Sequence, residues 1–432
     1  MKRQLVNGIV ALCASTALAG CMTQITGQKT KSPPPVTRAA VPQSFAQAEE
    51  SPIIDSLLYR QSVVQDGTSF DTVADSVLAA NARPAEAELR AARLRAKAAS
   101  KNWLPKIGPN ISLSSLESVV TGLIVQQVVF DNGLQKAERD FAAADVEAVA
   151  VALSTETNAR VLEALTLYLK GQQAREAAHV SAQAEKRLEY FHGVMGERVQ
   201  GGVSDLSDKR VISNKLREAR NQAISDREKA AVALAELNAM ADRSLVNVNG
   251  LAKIKTAPRG LKPLAVLAAE ALRSRDIAQA RITRAQYLPG ATINGTIGEN
   301  GGANLDIASP ELIGLGIGDQ LAAVQAAEDA ANRRVAQAIE DSNRKLRRLS
   351  QQMTALERQE DQAKALAESA RQNQILFQQQ FEAGIRSIME VISNYETAMR
   401  LEREYVQLRY DRLRVRLEIA AEFGALVDGA KI

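Results

Sequence analysis

The chain has little of what most metal and redox enzymes need. Its 432 residues include 2 His and 2 Cys, and only 4% of them are aromatic. Because His and Cys supply most ligands of zinc sites, this composition disfavours a metal or redox centre. The shortage of Phe, Trp and Tyr also argues against a bulky globular core and favours long helices packed through Ala, Leu and Val. We expect neither a cofactor nor an enzyme activity.

Proline is absent from two long stretches of the sequence. None of the 12 prolines falls between Pro109 and Pro258, and none follows Pro310. Since proline is the main breaker of helices, we predict long helices at 134–200 and 319–382. Each would be roughly 100 Å long at about 1.5 Å per residue, too long for a single globular domain. Apolar residues at heptad-like spacing predict packing along a seam: Leu346, Leu349, Met353 and Leu356.

The N-terminus has the features of a secretory signal. Two basic residues precede an apolar run over 9–19, which is too short to span a bilayer. The run closes on Leu18–Cys21, which resembles the signal of bacterial lipoproteins. We therefore expect residues 1–20 to be removed and Cys21 to carry lipid, palmitate included; the alternative is an ordinary signal peptide with a chance cysteine. Met22, in place of the Asp that often retains lipoproteins at the inner membrane, favours the outer membrane.

The mature chain would be almost neutral. Cleavage takes 2 of the 54 basic residues and none of the 50 acidic ones, which leaves a net charge of about +2. The sequence has no basic cluster interleaved with aromatics, so we expect no nucleic-acid partner. Several prolines among Ser, Thr and Gln make residues 21–65 an extended tether between the lipid and the folded part.

The rest of the sequence contains an internal repeat, over 66–250 and 251–432. Ala-rich helical sequence ends at Trp103-Leu104-Pro105 in the first repeat and at Tyr287-Leu288-Pro289 in the second. A segment with few charges follows in each. Each repeat is therefore predicted to place a β-hairpin between helices.

A long predicted helix follows each low-charge segment, and each of these helices is interrupted near its end by glycine. The breaks lie at Gly202 and Gly384, and a second helix follows at 205–242 and 388–424. Because glycine enters positive φ without steric penalty, we expect tight turns at these helix tips.

The low-charge segments predict two β-hairpins, at about 103–130 and 287–318. The one acidic residue of the first, Glu117, lies near the expected tip. In the second, apolar residues alternate with small or polar ones in two runs, 291–298 and 313–318. A period of two indicates strands with one apolar face, the pattern of a wall between lipid and an aqueous lumen. Four strands cannot close a barrel and lipid does not tolerate an open edge, so several chains would share one barrel.

Together these features resemble TolC-like outer-membrane channels of tripartite efflux pumps and type I secretion systems, in their lipid-anchored branch. The resemblance covers nearly everything after residue 70. Its specific marks are the duplicated layout, the Leu-Pro strand openings, the strand-to-helix turn Val129–Gly133 and the helix-tip motif Gly384–Val391. It implies a mixed fold, in which a homotrimer forms a 12-stranded membrane β-barrel and a 12-helix α-helical barrel that crosses the periplasm as a tunnel.

Two features depart from the family pattern. The strands look short, about ten residues each, which is close to the minimum for a tilted transmembrane strand. Small loops around Glu117 and 299–302 would join them. The second strand-to-helix turn, Gly318-Asp319, lacks the fuller form of the first.

The resemblance also implies a gate, because hydrogen bonds and ion pairs near the helix tips hold the periplasmic end of such tunnels closed. By position it falls on Asp208, Phe381, Arg386 and Glu390. Phe381 takes the place of a gate Tyr of the family, so any hydrogen bond that the tyrosine hydroxyl makes there is lost. Arg386 could pair with Glu390 or Asp208; the alternative is solvated tip charges, each pair worth about 0–1 kcal/mol.

Two further pairs of residues receive roles from the same resemblance. The tips at Gly202 and Gly384 would meet a periplasmic adaptor protein. Trp103 and Tyr287 would lie at the membrane–water boundary, unless they are ordinary half-buried aromatics.

Signals that could indicate an enzyme fail on inspection. His179 and His192 lie on one predicted helix without a Cys partner, so a metal site is not expected. The run Gly314–Gly318 has the spacing of a strand, and no Gly-Lys-Ser/Thr follows it.

The leading hypothesis is a passive outer-membrane conduit, with an adaptor and an inner-membrane transporter of the resistance-nodulation-division (RND) or ABC type as partners. The alternative is a structural periplasmic coiled-coil lipoprotein without a pore. The sequence leaves efflux and protein secretion equally open.

Overall fold

The computed structural model describes residues 51–81, 84–115, 118–256, 260–298, 302–309 and 316–431. The predicted signal peptide, Cys21 and most of the tether lie outside the described residues. Within the described part the chain is mostly helical and carries one four-stranded sheet.

The described elements alternate between helices and two β-hairpins. Three helices come first: α1 (Pro52–Leu58), α2 (Ser69–Ala79) and α3 (Pro84–Ala99). The first hairpin and its helices are β1 (Lys106–Ser115), β2 (Ser118–Phe130), α4 (Leu134–Gln200) and α5 (Leu206–Ala239). The second set is α6 (Leu264–Gln286), β3 (Gly290–Gly298), β4 (Gly302–Ala308), α7 (Ile317–Glu382) and α8 (Ile388–Glu422), with a final 3-10 turn at Gly429–Lys431.

The second hairpin differs from its prediction. The fourth strand was predicted at 313–318, but β4 occupies Gly302–Ala308, while Ile317 and Gly318 already belong to α7. Residues 313–315 of the predicted strand lie outside the described residues. Alternation with glycine led to that prediction, whereas β4 carries a charge, Asp306, that a search for uncharged runs passes over.

The four strands form one antiparallel sheet in the order β1-β2-β3-β4. Strands β2 and β3 join the two hairpins at its centre, where Gln126 lies opposite Asn294. Strands β1 and β4 are the edges, and each has one neighbour in the described part of the chain.

Helix α7 buries a narrow seam. Its buried residues recur mostly at heptad spacing: Val324, Ala331, Val335, Ser342, Leu349, Leu356 and Ala363. The helix packs against α8 and α6. Of the predicted seam, Leu349 and Leu356 are buried, whereas Leu346 and Met353 are half-buried. Much of the rest of α7 is exposed in the single chain, which leaves a face free for further packing.

Of the four apolar clusters in the described part of the chain, two hold α4 against α5 and α8. The larger lies where α2 meets the middle of α4 and the last turns of α5 and α8; there the ring of Phe70 packs edge-on against Tyr168 at 5.8 Å. The smaller lies near the helix tips and includes Phe191, Ile212 and Ile392.

A buried ion pair links three of the long helices. Asp226 of α5, with a side chain 3% exposed, binds Arg403 of α8 through Oδ2···Nη1 at 2.6 Å and Oδ1···Nη2 at 3.2 Å. Ser181 of α4 donates to the same carboxylate at 3.1 Å and accepts from Arg403 at 2.6 Å. Burial alone raises the pKa of Asp226, but the hydrogen bond and charge of Arg403 outweigh it, so the pKa lies below its ordinary value of 3.8.

We expect Arg403→Leu to lower the free energy of unfolding by about 3 kcal/mol near neutral pH, because the buried carboxylate then keeps only the more distant cation of Lys229, at 3.8 Å. In the native chain this carboxylate stabilises the fold above its ordinary pKa, and that contribution is lost as pH falls through the lowered pKa. In the variant the buried carboxylate gains a proton as pH falls. The difference between the two proteins should therefore shrink in acid, as measured by urea unfolding followed by circular dichroism.

The matched control is Arg344→Leu, which breaks an exposed pair with Asp341 on α7. This substitution should cost about 0–1 kcal/mol. Equal losses for the two variants would show that the buried pair does not stabilise the packing of α5 and α8.

Candidate functional site: the two-faced sheet and the helix tips

One face of the sheet is apolar and lies open in the single chain. Leu123 of β2 is opposite Ile297 of β3. Ile293 of β3 is in turn opposite Leu305 of β4. Because side chains of paired residues share a face, the registers gather most of the large exposed apolar side chains of the strands on one side. These are 43–72% exposed: Ile107, Leu123, Ile293, Ile297, Leu305 and Ile307.

The opposite face is mainly polar, although it also carries Ile124 and Val128 of β2. Thr292, Asn294 and Thr296 of β3 lie on it. Asp306 accepts hydrogen bonds there from the side-chain amides of Asn294 and Asn304, the latter at 3.1 Å. The sheet therefore has the two contrasting surfaces that the period-two pattern predicted for the second repeat.

The two ionisable side chains in the four described strands lie on the two edges. Lys106 begins β1, and Asp306 lies near the end of β4. The ladder Lys106–Gln126–Asn294–Asn304 places both on the polar face. The edges themselves carry backbone N–H and C=O groups without a strand partner in the described part of the chain.

The first strand-to-helix turn is built by its own side chains. The carboxylate of Asp131 accepts from the backbone N–H of Gly133 at 3.0 Å and of Gln135 at 2.8 Å. Asn132 has φ 52° and donates to the carbonyl of Pro289 at 2.8 Å, which ties together the helix ends of the two hairpins. The second turn lacks such a cap, since Gly316 precedes α7 without a side-chain bond.

Trp103 and Tyr287 lie at the helix end of the sheet. Trp103 is exposed in the turn before β1, and its carbonyl accepts from the side chain of Gln127 at 3.1 Å. Tyr287 is half-buried and ends α6 just before β3. Their placement at the membrane–water boundary stays a prediction.

At the opposite end of the long helices, two glycines make the turns between helices. Gly202 follows α4 with φ 72°, and Gly384 follows α7 with φ 75°. Glycine favours this left-handed region because it has no Cβ. After the second turn, Ser387 and Glu390 form a capping box at the start of α8.

Arg386 is held within this second tip. It donates to Gln380 at 2.6 Å and to Glu390 at 3.0 Å, and its guanidinium lies 4.0 Å from the ring centre of Phe377. The backbone hydrogen bond from Ser387, more than the nearby Arg386, lowers the pKa of the Glu390 carboxyl. The guanidinium thus joins the last turns of α7 to the first turn of α8.

The other two gate residues occupy different surroundings. Phe381 packs edge-on against Phe191 of α4 at 6.5 Å, and the Arg198 guanidinium lies 5.8 Å from its ring centre. Asp208 lies in the first turn of α5 and has no ion pair in the part of the chain that the structure describes. Within one chain, Arg386 therefore meets Glu390 and not Asp208.

One surface was not predicted from the sequence. A groove of about 1090 Å³ runs between α5 and α8 with α4 as its floor, and the buried Asp226 and the half-buried Arg403 lie in its lining. Lys215 of α5 pairs with Glu396 of α8 at 3.0 Å across it. No sequence motif indicated it, because it depends on three helices distant in the chain.

Two classes of feature are missing from the described residues. They contain no cluster of three or more His, Cys, Asp or Glu side chains that could bind a metal ion. None of their helices is both long and apolar enough to cross a membrane.

This arrangement, long helices joined to a small sheet with one apolar and one polar face, is the fold of bacterial outer-membrane channel proteins. A Pseudomonas aeruginosa membrane protein superposes with a TM-score of 0.72 at 17% identity, over 92% of this chain and 98% of that one. The Vibrio cholerae outer-membrane protein VceC gives 0.66 at 15% identity, over 86% and 95%. The open state of the Neisseria gonorrhoeae outer-membrane channel MtrE gives 0.66 at 13% identity, over 88% and 89%.

No protein-family model and no curated protein sequence matches the chain. At identities of this size the structural likeness establishes the fold alone.

Proposed function

We propose that this protein is an outer-membrane channel that serves as a passive exit duct. The observation that carries the proposal is the two-faced sheet, because its described strands expose six large aliphatic side chains on one side. Water is a poor solvent for such a face, whereas hydrocarbon suits it. The polar face, with Asn294, Asn304 and Asp306, would then line an aqueous lumen.

The channel is formed by several copies of the chain. Edge strands β1 and β4 leave backbone groups unpaired, and hydrocarbon supplies no partner for them. If β4 of one copy pairs with β1 of the next, the edges disappear. The number of copies comes from the family resemblance, which implies a homotrimer with 12 strands and a 12-helix tunnel.

The channel would act with an adaptor and an inner-membrane transporter of the RND or ABC type. No energy source is required of the duct itself, because those partners supply it. We place the adaptor contact at the helix tips around Gly202 and Gly384, and the lipid anchor at Cys21. Drug efflux and protein secretion both remain compatible with a mainly polar lumen.

A pair of substitutions in β3 tests this proposal against a soluble coiled-coil spacer. Ile293→Lys puts a charge near the middle of β3 on the apolar face and should cost about 2–4 kcal/mol at mid-membrane depth, so little inserted trimer should form. Thr296→Lys puts the same charge on the polar face and should leave insertion intact while it weakens any preference for cations. The measurements are the amount of heat-modifiable trimer in the outer membrane and the ion selectivity in planar bilayers.

Equal tolerance of both lysines would contradict the proposal. In a spacer without a pore, both faces would meet water and the position of the charge would not matter.

We further propose that the helix tips form the periplasmic gate. Arg386 holds Gln380 and Glu390 together, which gives each tip a defined shape. Phe381 adds an aromatic contact to Phe191 instead of the hydroxyl bond of a tyrosine. Asp208, without an ion pair in the described part of the single chain, is available to a neighbouring tip.

Removal of the guanidinium in Arg386→Ala should raise the conductance of the closed channel, because the tip loses its link between α7 and α8. The measurement is single-channel recording in planar bilayers. Arg371→Ala is the control, since it removes an exposed arginine that pairs with Glu368 one turn away on α7. An unchanged closed state in Arg386→Ala would remove the gate from this position.

A further inference from the structure

A cationic cavity lies where the sheet meets the long helices. It has a volume of about 470 Å³, within the range of small-molecule sites, and is enclosed by the first turns of α4 and the last turns of α6. Three cations line it: Lys136 of α4, and Arg281 and Arg284 of α6. Asp140 is the one acidic residue of the lining, so the cavity has a net charge of about +2.

The three cations have no counterion within the described part of the chain. Neither an ion pair nor a side-chain hydrogen bond engages Lys136, Arg281 or Arg284, and all three are exposed. Further along the same helices the pattern differs, since Arg275 of α6 pairs with Asp145 of α4 at 3.6 Å. The negative end of the α6 dipole favours one cation in its last turn, but it does not explain three that converge from two helices.

The cavity lies on the side of α4 that faces away from the polar face of the sheet. A second cavity at the same junction is lined by Lys106 and Thr292 of the polar face, and α4 contributes Leu134, Gln135 and Glu138 to it. The cationic cavity takes Gly133, Lys136, Ala137 and Asp140 instead. At about 100° per residue these two sets lie on roughly opposite sides of α4. The cationic cavity therefore lies away from the lumen.

Its depth in a membrane follows from the turns that enclose it. The turn at Asn132 connects β2 to α4, and Leu288 lies between α6 and β3. The cavity thus begins where the apolar face ends. If that face meets acyl chains, the cavity meets the layer of lipid phosphates.

We propose that this cavity binds the phosphate group of an anionic phospholipid, an inference that rests on the proposed membrane function. The two guanidinium groups can each present paired N–H donors to a phosphate, and Lys136 adds a point charge. A lipid held there would bridge α4 and α6 at the junction of barrel and tunnel. Asp140 opposes the anion and limits its affinity.

The test is native mass spectrometry of protein reconstituted with phosphatidylglycerol and phosphatidylcholine. The native chain should retain phosphatidylglycerol in preference to phosphatidylcholine. The triple variant Lys136→Gln, Arg281→Gln, Arg284→Gln should retain at least about tenfold less, which corresponds to about 1.4 kcal/mol. Asp140→Asn should retain more than the native chain, and this single change separates lipid affinity from any folding defect of the triple variant.

The matched control is Arg273→Gln, Lys186→Gln, Arg210→Gln, which removes three exposed cations elsewhere on the helices and should retain lipid as the native chain does. Inorganic phosphate is added in a separate arm. If it displaces the lipid at low millimolar concentration, the site is a soluble-phosphate site and the lipid assignment is wrong. Equal lipid retention by the two triple variants would also overturn it.

Conductance of the same preparations keeps this inference apart from the proposed function. If the trimer inserts and conducts but its lipid retention does not depend on the cavity residues, the lipid site alone is disproved. A protein that never enters the bilayer disproves the channel.

Discussion

The constraint on which the rest depends is a four-stranded sheet that is apolar on one face and unpaired at both edges. In water the apolar face is costly, and in hydrocarbon the bare edges are costly. Both costs vanish together if neighbouring copies pair edge to edge with their apolar faces outward. The charges agree with this arrangement, since Lys106 and Asp306, the two ionisable residues of the strands, lie on opposite edges of the polar face.

The helices are suited to continue the same assembly. Helix α7 buries a heptad seam against its own chain and leaves much of its remaining surface exposed. The buried Asp226–Arg403 pair fixes α5 and α8 on α4 at a defined separation. At the far end, Arg386 and the capping box of Ser387 and Glu390 shape one tip. Sheet, helices and tips thus form a single path from membrane to periplasm in the proposed channel.

Sequence patterns predicted most of the fold but less of the candidate site. The prediction of a mostly helical chain with four strands is confirmed. It could be made because the lack of proline and the period-two runs are local properties of the sequence. The fourth strand was predicted at 313–318 because apolar residues alternate with glycine in that run. The observed strand β4 contains Asp306, so a search for uncharged runs missed it. The Asp226–Arg403 pair and the cationic cavity could not be predicted, because their members come from helices far apart in sequence.

The most direct test of the central claim is amide hydrogen exchange on the protein reconstituted in bilayers. The outward-facing amides of β1 and β4 are the groups in question, with β2 and β3 as internal references. Edge-to-edge association predicts that all four strands are protected to a similar extent. Fast exchange confined to Lys106–Ser115 and Gly302–Ala308 would mean that the edges stay open, and the account of a shared barrel would be wrong.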